Sequence, residues 1–70
     1  MTSMDGSNQE YEEVALGESA VRITLVPHGW NNSPCLRIQI RDENGHLRQG
    51  PDIPGENCAD VIRSMVQLLI

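Results

Sequence analysis

The sequence predicts an α+β fold, a four-stranded antiparallel sheet followed by one C-terminal helix (ββββα), assembled as a dimer. Three observations carry this. Residues 21–25 and 36–40 alternate apolar and polar side chains with the period of a half-buried strand. The second run leads into Asp42-Glu43-Asn44-Gly45, whose Asn-Gly pair is the strongest short hairpin signal. From Asn57 the apolar spacing changes to three and four residues, which is helical.

In chain order, residues 1–10 are polar apart from two Met and cannot repay the entropy of ordering, so they are expected to form a disordered tail ahead of a single domain over 11–70. Residues 11–17 read as a short edge strand, with Val14, Ala15 and Leu16 against Glu12 and Glu13. Gly17-Glu18-Ser19 is turn chemistry, and residues 20–26 form the second strand, Val21, Ile23 and Leu25 inward, Arg22 and Thr24 outward. Residues 27–34, bracketed by Pro27 and Pro34, read as an eight-residue loop. The third strand follows, and Pro51 confines the fourth to a sheet edge or a bulge. Pro54-Gly55 ends it. Asn57 is the expected N-cap of the helix, with Asp60 three residues on.

A chain of 70 residues buries only about 60% of its unfolded surface. With Trp30 and Tyr11 as its only aromatics, its core must be aliphatic and thin. The helix meanwhile carries more apolar surface than one sheet can cover. Val61, Met65, Val66, Leu68, Leu69 and Ile70 are therefore expected at a homodimer interface.

The net charge of -5, ten carboxylates against five Arg and no Lys, argues against coating nucleic acid through the overall field. A local patch is another matter. A two-residue loop at Asn44-Gly45 sets Arg41 opposite Arg48, Arg37 opposite Asp52 and Leu36 opposite Ile53, and a four-residue loop keeps that parity. Arg22, Arg37, Arg41 and Arg48 then share the face away from the helix, a platform for planar anions and stacked bases. A three-residue loop would flip the fourth strand and remove Arg48. The bland alternative is the solvated face that any open antiparallel sheet has. Trp30, in a polar loop, is a stacking or anchoring candidate, or else a cover for the open end of the sheet.

Cys35 and Cys58 lack paired spacing, and with His28 and His46 they make no metal-ligand pattern; no cofactor and no metal is expected. No phosphate loop or catalytic triad context appears, so an enzyme is not expected. No leader-like segment opens the chain and its longest apolar stretch is too short to span a bilayer, so the expected setting is cytoplasmic, without membrane contact.

Trp30-Asn31 and Pro34, the strand ending Ile40-Arg41-Asp42, then Gly45, Gly50, Ile53 and a terminal amphipathic helix occur in an order that resembles the positive cofactor four family of transcriptional coactivators and its small bacterial single-stranded DNA-binding relatives. The overlap is about residues 21–69. The resemblance implies a sheet plus helix, a dimer formed largely through the helices, and single-stranded nucleic acid across the sheets, with Arg41 and Trp30 at binding positions and Arg37 and Arg48 beside them. The family's lysine-rich face and strand aromatics are missing here. A weaker likeness links residues 51–55 to the segment before the helix in HicB-type antitoxins. Two functions follow as expectations: a dimeric single-stranded DNA- or RNA-binding regulatory module, or an acidic protein-interaction or inhibitor module presenting Glu10, Glu12, Glu13, Glu18, Asp42 and Glu43 to a protein partner.

Overall fold

The structure, a computed structural model, describes residues 3–6 and 8–70. One antiparallel sheet holds five strands in chain order, β1 (Ser3–Met4), β2 (Glu10–Leu16), β3 (Ser19–Trp30), β4 (Ser33–Arg41) and β5 (Leu47–Pro54), and the helix α1 (Gly55–Leu69) follows. The α+β class and the order of sheet then helix are as expected, but the strands number five. The added strand lies in the stretch expected as a tail: Ser3 pairs with Tyr11 and Met4 with Glu10. Residues 1, 2 and 7 of that stretch lie outside the described residues. The cause is local turn chemistry. Asp5 N–H donates to the Gln9 carbonyl, and the Asp5 carboxylate accepts from the Gln9 N–H at 2.8 Å. β2 is consequently not an edge along its whole length.

The loop expected over 27–34 is a hairpin instead. β3 runs on to Trp30, and only Asn31 and Asn32 turn the chain, with φ of 47° and 62°. Two left-handed central residues are what a type I′ hairpin turn requires, and Asn tolerates that region well. The prolines are absorbed by an irregularity: Val26 pairs with Cys35 and Trp30 with Ser33, so residues 27–29 arch against the single Pro34. That arch lays Gly29 so closely on Cys35 that a β-carbon there would collide with the thiol.

The third hairpin decides the faces. Asp42 N–H donates to the His46 carbonyl and Gly45 N–H to the Asp42 carbonyl, both at 2.9 Å, while Gly45 takes φ of 84°. This is the three-residue loop with a left-handed fourth position, and it sets Arg41 opposite Leu47 and Ile40 opposite Arg48. Farther along, Gly50 and Pro51 together oppose Ile38, a bulge that restores the expected pairs Arg37 with Asp52 and Leu36 with Ile53. Pro51 thus sits at both a bulge and an edge strand. Gly50 is required there, because a β-carbon would run into the Ile38 carbonyl oxygen.

Burial inverts the simple picture of an oily inside. Among the described residues the buried side chains are Ala20, Thr24 and Cys35, all on the face that also carries Arg22, Arg37 and Arg41. Ala20 sits between Ala15 and Arg41 across the ladders and Thr24 between Tyr11 and Arg37, while Cys35 lies beneath the Gly29 arch. The other face, with Val14, Leu16, Val21, Ile23, Leu25, Leu36, Ile38 and Ile40, is only partly covered, and Val14 and Leu16 are about half exposed.

The helix begins two residues before the expected Asn57, directly after Pro54, and no side chain caps it. A β-carbon on Gly55 would stand 3.2 Å from the Pro34 carbonyl oxygen, and the Cys58 thiol lies 3.4 Å from the Pro54 carbonyl. α1 touches β4 and β5, yet none of its residues is buried. No helix among the described residues is long and apolar enough to cross a membrane.

Candidate functional site

Strand pairing brings three of the four predicted arginines together and sets the fourth apart. Glu13 meets Arg22 directly across the β2–β3 ladder and Arg41 one strand farther on, because β2 pairs with β3 through Glu13 and Arg22, and β3 pairs with β4 through Ala20 and Arg41. Arg22 Nε donates to Glu13 Oε2 at 2.7 Å, and Arg41 Nη2 lies 3.0 Å from Oε1. Arg37 makes a forked pair with Asp52, Nε to Oδ1 at 3.0 Å and Nη2 to Oδ2 at 3.2 Å, the bidentate geometry a carboxylate favours. Arg48 corrects the expectation of a shared face. The three-residue loop places it opposite Ile40 on the apolar side, 74% exposed, with Nε 3.5 Å from Asp42 Oδ2. Arg63, on the helix, pairs with Asp60 at 3.1 Å.

Each guanidinium of the chain is therefore paired with a carboxylate, Arg22 and Arg41 sharing that of Glu13, and the electrostatics follow. The hydrogen bond from Arg41, then that from Arg22, holds the Glu13 carboxyl below its ordinary range against the opposing effect of burial. Arg37 lowers Asp52 in the same way, and Arg37 and Arg41 are raised in return. Asp42 is lowered first by the His46 N–H and then by the Asn44 N–H, with Arg48 adding a smaller charge effect. What this face presents to a ligand is one forked Arg37–Asp52 pair and a bridge of two arginines on the single carboxylate of Glu13.

Trp30 lies at the end of β3, 53% exposed, and its indole N–H donates to the Asp52 carbonyl at 3.2 Å. With Asn31, Ser33, Pro34, Pro54 and Glu56 it lines a shallow open pocket at the end of the sheet where the helix begins. Its ring is available to a partner, while its one donor is used. The helical residues expected at a dimer interface differ in exposure: Val61 is half-buried, Met65 and Val66 are exposed, and Leu68, Leu69 and Ile70 are 88%, 88% and 96% exposed.

Two residues of this surface were not singled out from the sequence as organisers of the arginine face. Glu13 bridges two strands, and Tyr11 carries the Arg22 guanidinium 4.1 Å from its ring centre. The signal was present in the Gly17-Glu18 turn. Gly17, at φ of 64°, closes a two-residue turn that sets Leu16 opposite Ser19 and hence Glu13 opposite Arg22.

Comparison with protein-family models, with curated proteins and with solved structures finds no match to this chain.

Proposed function

We propose that this chain is a small protein-interaction module that completes its fold by pairing with a second copy. One observation carries the reading: its apolar surface is open while its cations are occupied. The chain exposes 5430 Å². A compact protein of 7.8 kDa would expose about 4,400 Å². The excess of about 1,000 Å² is close to the roughly 800 Å² per partner of a stable complex. The acidic balance gives the outward chemistry. Glu18 and Glu43 stand exposed on two turns at one end of the sheet, so the surface left over after self-association suits a basic protein partner.

The competing reading is single-stranded nucleic acid laid over Arg22, Arg37 and Arg41 with Trp30 stacking on a base. It requires phosphates to compete with Glu13 and Asp52 for these guanidiniums. The two readings separate in one pair of measurements, the mass in solution by light scattering and the titration of a labelled mixed-sequence oligonucleotide at low salt. We expect twice the chain mass at micromolar concentration and no oligonucleotide shift. A monomeric mass at tens of micromolar overturns the self-association. A salt-sensitive shift that Arg41→Ala abolishes transfers the function to nucleic acid.

A further inference from the structure

We infer that the apolar trough across β2, β3 and β4 is the seat of α1 from a second copy of this chain, each copy laying its helix on the other's sheet. This rests on the self-association proposed above and assigns its geometry. The trough is lined by Val14, Ile23, Leu25 and Leu36 together with Glu10, Tyr11 and Glu12, strand residues alone, so the chain's own helix does not fill it. The same chain carries a helix whose apolar stripe is equally open: Ile62, Met65, Val66, Leu68 and Leu69 are all exposed.

A second copy is the occupant that satisfies both surfaces at once. In a two-fold contact, helix on sheet in one direction entails helix on sheet in the other, so one closed arrangement covers two troughs and two stripes. The dimensions agree. The 15 residues of α1 span about 22 Å. The seven residues of β2 span about 23 Å and the nine of β4 about 30 Å. The stripe also suits such a site in width. At 100° per residue it extends about 160°, from Leu68 round to Val66. One flank can lie on the partner's sheet while the other meets the partner's helix. Helices paired only with each other would leave Val14, Leu16, Leu25 and Ile40 in water.

Mixed cross-linking tests this on the full chain in a Cys58→Ser background, where buried Cys35 is the remaining native thiol. Val14→Cys, Leu25→Cys and Ile40→Cys are each mixed with Leu69→Cys and treated with a short bismaleimide, and masses in solution are measured alongside. The expected result is a dimeric mass with a cross-linked heterodimer in at least one of the three mixtures, together with a loss of dimer affinity of at least tenfold for Leu25→Asp. A dimeric mass with no sheet-to-helix cross-link, and an affinity that Leu25→Asp leaves unchanged, overturns the helix-on-sheet geometry while self-association stands. A monomeric mass overturns both. If Leu25→Asp fails to fold, the cross-links alone decide, since they use exposed positions.

Discussion

At the scale of single residues, Glu13 does most to organise the arginine face. Its carboxylate closes a bridge over three strands by accepting from Arg22 on β3 and Arg41 on β4. Glu13→Gln keeps the shape and removes the charge, so we expect a loss of about 1 kcal/mol, read as a lower midpoint in urea. The pH dependence has a definite sign. The carboxyls of Glu13, Asp42 and Asp52 are held below their ordinary values of 4.5, 3.8 and 3.8. Their contribution is complete above those ordinary values and is lost as pH falls through the lower, folded-state ones. Stability should therefore be flat from pH 7 to about 5 and decline below about 4, with a shallower decline in Glu13→Gln. Gly50 is the other residue with a sharp expectation. Gly50→Ala forces a methyl group onto the Ile38 carbonyl and should cost about 1–3 kcal/mol in thermal unfolding.

At the scale of elements, the turns govern what each strand shows to which side. Asp5 and Asp42 lead turns with the same bonding: backbone N–H to the carbonyl four residues on, and carboxylate from the N–H four residues on. The fourth residue of each is left-handed, Asn8 at φ of 64° and Gly45 at 84°. Reading Asp42-Glu43-Asn44-Gly45-His46 as an Asn-Gly turn is reasonable on composition. It misses that the Asp42 side chain satisfies the Asn44 and His46 N–H groups and so favours the longer loop. Because side chains alternate with period 2, that difference of one residue moved Arg48 to the other face. The β3–β4 turn offers a direct test: Asn32→Val places a β-branched residue at φ of 62° and should lower stability by about 1–2 kcal/mol by thermal melt.

At the scale of the whole molecule, three buried side chains among the described residues are a small core. Folding that is completed by association makes stability depend on concentration. The melting temperature of the native chain should rise over a hundredfold increase in protein concentration, and Leu69→Asp should abolish that rise by charging the open stripe. The alternation at residues 21–25 and 36–40 and the helical spacing after Asn57 made the sheet and helix legible, since each depends on neighbours within one element. The excess of apolar surface on the helix was legible for the same reason. The occupancy of the arginines was not, because Glu13 meets Arg41 from 28 positions away through two ladders.

By itself, then, the sequence determined the class of fold, the order of sheet and helix, and two faces of opposite character on β3 and β4, because local periodicity and turn residues act over a few positions. Tertiary structure decided the rest. The odd length of one loop chose which side Arg48 joined, the bulge at Gly50-Pro51 returned Asp52 to Arg37, and the arch over 27–29 buried Cys35. It also set a row of three arginines on two carboxylates, Glu13 and Asp52, since a charge finds its partner through space and the ladder registers set those distances.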